Sequence, residues 1–301
     1  MTSNTVTAKA FTPVTIPAPI KTLFDDISFA QVAAEHISDA TGTPVTIEDT
    51  VTQDMLDKVT VLRVLSGSPL KITNLRGIGH LRNLQDVMLE RQFVTRLPED
   101  FGMLAKLTSA YFINCKLKSI PDWIGNLESL ISLNLSSQLP LGIMRGGIPE
   151  SIGNLTKLER FDVGNNNNLC GKLPDSFARL TALKHLLVQS NGFEDLTVLN
   201  EMPPTTSINA RNQALGIFEL GNVAQNSLLP IRLPEIFVQA LTPGDVLYEK
   251  DGVEIVGSPG ASLDKNHRYV HLPTSTSGTF EVMLAIHGRL TNVSYRYTVT
   301  A

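Results

Sequence analysis

Apolar and polar positions follow a fixed frame through the middle of the chain. Leu84, Leu107, Leu130, Leu158 and Leu183 open five segments, with steps of 23, 23, 28 and 25 residues. An apolar residue returns at the fourth place (Val87, Ala110, Leu133, Phe161, Leu186) and at the sixth (Leu89, Phe112, Leu135, Val163, Val188). The ninth is Gln92, Cys115, Gln138, Asn166 or Asn191. A degenerate first copy begins at Val59, with Leu62 and Val64, and a weak last one passes through Ile208, Ala210 and Gln213. The period of two in each copy predicts a short strand, with Leu133 and Leu135 pointing inward and Ser132, Asn134 and Ser136 outward. One copy cannot bury its own apolar face. Stacked copies share a continuous core and set their strands side by side as a parallel sheet.

The frame L-x-x-L-x-L-x-x-N is that of leucine-rich repeats. It predicts an α/β leucine-rich-repeat solenoid, a right-handed horseshoe or arc with a parallel concave sheet and six to seven repeats. The ninth residue is expected to turn inward, where Asn or Gln can satisfy backbone groups stranded by the turn. Cys115 takes that place in its copy and reads as a buried structural thiol. Cys170 lies two repeats on. Strands are ~4.8 Å apart, which sets the two chains roughly 10 Å apart, beyond the ~7 Å Cα limit for a disulfide, so both thiols should be free. The later copies carry G-x-I/L-P-x-x-I/F-x-x-L (Gly146 to Leu155, Gly171 to Leu180). This resembles the repeats of plant receptors, although the paired-cysteine caps usual there are missing. Residues 139–147 and the run Asn165 to Asn168 are insertions, expected as loops at the edge of the sheet.

A solenoid needs its apolar ends covered. Phe29, Val32, Ala33 and Ile37 recur at helical spacing, Ser28 with Gln31 makes a capping box, and Gly42 offers a stop. A second short helix is predicted from about Gln53 to Lys58, N-capped by Thr52. The phrase DTVTQDMLDKVTVLRV (Asp49 to Val64) and the segment ITNLRGIGHLRNL (Ile72 to Leu84) resemble the cap and first repeat of internalins, a family of bacterial surface proteins. Beyond the repeats, short alternating runs (Ile236 to Ala240, Val246 to Tyr248, Val253 to Val256, Tyr269 to Leu272, Phe280 to Ile286, Val293 to Val299) are separated by Gly, Pro and Asp clusters. They predict an antiparallel sandwich. Internalins carry such an Ig-like domain directly after the repeats. The expected domains are an extended segment over 1–20, a helical cap over 21–58, repeats over 59–213, a linker over 214–228 and the β-sandwich over 229–301.

Composition narrows the function. The chain has 301 residues and a net charge of −4, with no massed run of Lys or Arg, which gives no sign of nucleic-acid binding. No apolar stretch approaches the roughly 20 residues needed to cross a bilayer, so membrane insertion is not expected. Residues 1–18 lack the basic and apolar regions of a signal peptide, so either the protein is made without one or this is a mature form. Leu272 to Thr276 has the wrong ending for an LPxTG anchor. Phosphate-cradling loops, nucleophile elbows and zinc-type cysteine pairs are missing, and neither metal nor cofactor is expected. His267 and His271 fall on a strand, which sets them ~13 Å apart, too far to share an ion. Trp123 reads as packing between repeats.

The best candidates for function are the outward positions of the strands: Arg63, Met88, Tyr111, Asn134, Asp162 and Leu187 in a central column, flanked by Asp86, Arg160 and His185 on one side and by Glu90 and Ile113 on the other. Tyr111, Met88 and Ile113 would form an apolar patch rimmed by charge, the composition of protein interfaces. The reading is a non-enzymatic binding or adhesion protein, extracellular or at a bacterial cell surface, that recognises a protein or a glycan on the concave face. The alternative is a component of a secreted assembly or an effector.

Overall fold

The computed structural model describes residues 14–139, 144–210 and 213–225, together with the strands 229–232, 253–256, 262–263, 269–272, 278–286 and 291–300. Its organising feature is a seven-stranded parallel sheet whose strands follow chain order: Val61–Val64, Asp86–Glu90, Ser109–Ile113, Ser132–Asn134, Arg160–Asp162, His185–Leu187 and Ser207–Asn209. Both degenerate copies supply a strand. The fourth- and sixth-place residues of the five full copies are all buried.

The strands of the five full copies are stopped in the same way. Arg91, Asn114, Ser137, Asn165 and Ser190, all at the eighth place, take a left-handed backbone with φ between 53 and 59°. That bend turns the ninth residue inward. Gln92, Cys115, Gln138, Asn166, Asn191 and Gln213 are buried, and their polar atoms bind backbone on two neighbouring coils. The Gln138 amide donates to the carbonyls of Phe112 (2.6 Å) and Leu135 (3.1 Å) and accepts from Leu117 N–H (3.1 Å). Asn166 donates to Leu135 and Val163 and accepts from Gln138 N–H at 2.8 Å. Cys115 offers only a thiol, which lies 3.4 Å from the carbonyl of Leu89 and 3.7 Å from that of Ile113. Burial pushes that thiol up to about 11, which keeps it protonated and inert. Both cysteines are free, Cys115 buried and Cys170 exposed.

On the far side of four coils a short 3₁₀ helix follows a proline: Glu99–Met103, Asp122–Asn126, Glu150–Asn154 and Asp175–Arg179. Phe101, Ile124, Ile152 and Phe177 drop from these turns into the core. A glycine in one turn lies against the second residue of the next: a Cβ on Gly125 would meet the Ser151 carbonyl at 2.3 Å, and one on Gly102 the Trp123 ring at 3.0 Å. Trp123 thus packs between repeats, its ring 6.4 Å from that of Phe101.

The two insertions behave differently from simple loops. Residues 140–143 lie outside the described residues, but Gly146 bridges Leu169, and Cys170–Lys172 pairs in parallel with Gly192–Asp195. The G-x-I/L-P copies therefore build a second, small parallel ladder along one edge. Gly146 and Gly171 have φ of 85 and 83° with no atom near a would-be Cβ, so glycine is required there by the backbone alone.

A helix, Ile27–Thr41, buries Phe29, Ala30, Val32, Ala33, Ala34 and Ile37 and ends at Gly42 with φ 70°. The anticipated Ser28–Gln31 box does not start it. Asp26 does, its carboxylate accepting Phe29 N–H at 3.0 Å, because a charged acceptor makes the stronger bond and favours the positive end of the helix. The other Asp26 oxygen accepts from Thr73 N–H (2.8 Å), the Thr73 hydroxyl (2.6 Å) and Asn74 N–H (3.3 Å), tying the helix to the first coil. His36 joins the same contact: its Nε2 accepts Arg63 N–H at 3.0 Å on the outermost strand, and its Nδ1 meets the Val32 carbonyl at 2.9 Å. Thr52 caps a short helix over Gln53–Leu56.

After the repeats, the linker expected over 214–228 is instead a strand, Ala214–Ala224. It runs parallel to Thr291–Thr300 in a four-stranded sheet that also holds Gly278–Ile286 and Val253–Val256. Its partner lies nearly eighty residues away, Ala214 opposite Asn292, so no local signal marks it. A three-stranded antiparallel sheet contains Leu229–Arg232, Tyr269–Leu272 and Ser262–Leu263. The runs Ile236 to Ala240 and Val246 to Tyr248, and His267, lie outside the described residues.

Candidate binding face

Strand pairing lines up the outward positions. Arg63, Met88, Tyr111, Asn134, Asp162, Leu187 and Asn209 are successive register partners across the sheet. Asp86, Ser109, Ser132, Arg160 and His185 form the row on one side, and Glu90 pairs Ile113 on the other. Arg63, Arg160 and His185 are exposed. Asp86, Met88, Glu90, Tyr111, Ile113, Asn134, Asp162 and Leu187 are half-buried.

Three outward positions are covered. Ser132 and Ser136, expected in solvent, are each only 8% exposed. The Tyr111 hydroxyl reaches Ser132 Oγ at 2.8 Å, and Ser136 donates from both its N–H and its hydroxyl to Asn134 Oδ1. Gly164 is buried beneath Gln189, whose amide nitrogen would stand 2.3 Å from a Cβ there. Small residues on this face are covered by larger neighbours, Ser132 by Tyr111 of the preceding strand, Ser136 beside Asn134 of its own coil and Gly164 by Gln189 of the following coil.

The charged residues divide into those already engaged and those still open. Arg63 makes a two-pronged pair with Asp86 at 2.9 and 3.1 Å. The hydrogen bond to Asp86, then its charge, holds the guanidinium pKa above its ordinary value. Glu90 accepts Ser66 N–H at 3.2 Å. Asp162 accepts Gly164 N–H at 2.9 Å and the Asn134 amide at 3.3 Å. Burial raises its carboxyl pKa, against the opposing effects of that Gly164 bond and of Arg160. Arg160 and His185, neighbours in register, make no ion pair among the described residues. The sequence reading missed Val61 and Leu65, which are 39% and 58% exposed beside Arg63. The degeneracy of the first copy hides their phase.

Among the described residues no group of three or more His, Cys, Asp or Glu could hold a metal ion, and no helix is long and apolar enough to cross a membrane. A continuous sheet with mixed polar, apolar and charged side chains on its open face, and a core made by stacked coils, defines the leucine-rich-repeat class. No family profile matches the chain. Over 130 residues, 42% of the chain, it is 35% identical to the TMV resistance protein N of Nicotiana glutinosa, and over 100 residues, 33% of the chain, 47% identical to receptor-like protein 32 of Arabidopsis thaliana. Each match spans 11% of the relative's own length. The chain is similar in structure to a secreted internalin-like protein of Listeria monocytogenes, with a TM-score of 0.67 at 19% identity, covering 96% of this chain and 100% of that one. The protein is thus a leucine-rich-repeat solenoid whose fold is similar to that of a secreted internalin-like protein and whose repeats are similar in sequence to those of plant resistance and receptor-like proteins.

Proposed function

We propose that the concave face grips a protein partner outside the cell or at a cell surface, and that the chain binds rather than catalyses. The observation carrying this reading is the half-buried group of Met88, Tyr111 and Ile113 on the same sheet face as the exposed Arg160 guanidinium and His185 ring. It combines an aromatic and thioether anchor with a polar rim, as protein interfaces do. In this reading the helix Ile27–Thr41 is the cap of the solenoid, and the C-terminal strands form an Ig-like sandwich that serves as a spacer or second contact. The match to a secreted internalin-like fold and to receptor-like sequences supports an extracellular setting and a protein ligand. A glycan is the second candidate for the same face.

The test compares capture of surface proteins by the wild type, by Tyr111→Ala with Arg160→Glu on the concave face, and by Met103→Ser on the opposite side, where Met103 is 58% exposed. The concave variant should lose the captured partner while the Met103 variant keeps it, at unchanged melting temperature. Loss in the Met103 variant alone would assign binding to the other face.

A further inference from the structure

The segments at the edge of the first coils contribute only cations of their own, while two carboxylates reach them from elsewhere: Asp26, held by Thr73 and Asn74, and Glu90, held by Ser66 N–H. Segments 66–74, 92–97, 115–120 and 144–148 contain Lys71, Arg96, Lys116, Lys118 and Arg145 and not one Asp or Glu, in a chain whose net charge is −4. These segments are neighbours in space: Phe93 N–H donates to the Ile72 carbonyl (2.8 Å), Lys116 N–H to Val94 (3.2 Å), Lys118 N–H to Thr95 (3.1 Å) and Arg145 N–H to Lys118 (2.9 Å). None of the five cations forms an ion pair among the described residues. Phe93, 36% exposed, holds Lys116 Nζ 3.9 Å from its ring centre and Lys71 Nζ 5.9 Å away, which keeps two ammonium groups close together on the surface. Next to them lies a pocket of about 520 Å³ lined by Thr73, Asn74, Thr95, Arg96, Lys118 and Ser119.

We propose that this edge binds an acidic polysaccharide, a chain of sugar rings bearing carboxylate or sulfate groups. Like charges gathered without ion-pair partners repel one another, and an anionic ligand relieves that repulsion. The lining decides the class of anion. All six residues are polar, with hydroxyls and an amide between a guanidinium and an ammonium. A protein partner anchors itself through buried apolar or aromatic side chains, and none of the six residues lining this pocket is an apolar one. A sugar ring presents hydroxyls to Thr95, Ser119 and Asn74, and its carboxylate or sulfate faces the fork of Arg96, which suits planar two-oxygen recognition. The surface is separate from the concave face, so its occupancy does not depend on the proposal above.

The test measures binding of immobilised heparin (sulfated), polygalacturonate (carboxylated), neutral dextran and poly-glutamate by the intact chain. The proposal expects heparin or polygalacturonate to bind and dextran not to, with affinity falling steeply from 0.1 to 1 M salt as screening shortens from about 10 to 3 Å. Arg96→Gln and Lys118→Gln, each on an exposed side chain, should each weaken binding by about tenfold. Lys118→Arg and the concave Tyr111→Ala variant should bind as wild type does. Preference between the two glycans identifies the anionic group. No binding to either glycan, binding unchanged in both Gln variants, or poly-glutamate bound as tightly with the same dependence on Arg96 and Lys118, overturns the proposal.

Discussion

The front and rear coils share one concave sheet but have different outer edges. Thr95, Lys118, Gly146 and Gly171 occupy the same place, three residues before the proline of each coil. In the front coils that place carries a side chain and lines an open polar pocket. In the rear coils it is a glycine at positive φ, from which a second parallel ladder is built. Front coils also bond backbone to backbone, as Lys118 N–H does to the Thr95 carbonyl; in the rear, the glycine turn accompanies the ladder and removes the side chain that a ligand could meet. One edge suits recognition and the other closes off its own backbone.

The ninth-place ladder offers the sharpest way to break the comparison. In the rear, Asn166→Leu removes two bonds to carbonyls and one from Gln138 N–H, all buried. It should cost about 3–4 kcal/mol in denaturant unfolding. In the front, Cys115→Ala gives up only weak thiol contacts and a small volume and should cost about 1–2 kcal/mol. Equal losses would show that the amides do not hold the coils together.

Glycines separate the same regions by a second measure. Gly125→Ala forces a Cβ to within 2.3 Å of the Ser151 carbonyl and should destabilise by about 2–3 kcal/mol. Gly171→Ala meets no atom and suffers only from its φ of 83°, a cost of about 1 kcal/mol. If the order reversed in thermal melts, packing between the 3₁₀ turns would not be the constraint described here.

The smallest effect concerns the junction of helix and first coil. Burial alone would raise the Asp26 carboxyl pKa, but bonds from the Thr73 hydroxyl and backbone, Phe29 and Asn74 together outweigh it and hold the pKa below 3.8. A depressed folded pKa contributes stability above the unfolded value and loses it as pH falls through the folded one. Asp26→Ala should therefore cost about 1 kcal/mol at neutral pH, with the gap to wild type closing below pH 4 (about the unfolded value). A gap that persisted in acid would assign the stability to something other than the carboxylate.

The frame of leucines foretold which residues are buried, the strand register, the inward amides and the place of Thr52 and Gly42. It misjudged the helix start, because the partner that makes Asp26 the better cap, Thr73, lies 47 residues on. It placed the central row of the concave face but not the roofing of Ser132, Ser136 and Gly164, nor the exposure of Leu65. The cations of the front edge were readable as residues, yet their meeting in one strip was not, because each comes from a different coil.

What the sequence determined by itself is the repeat and its core, since inward and outward positions follow from a period within each strand, and burial of one copy demands the next. Tertiary structure decided which outward side chains stay open, where Ala214–Ala224 pairs and which edge gathers charge. Those depend on neighbours twenty or more residues distant, whose distance and angle are set by how coils stack and not by any pattern inside one of them.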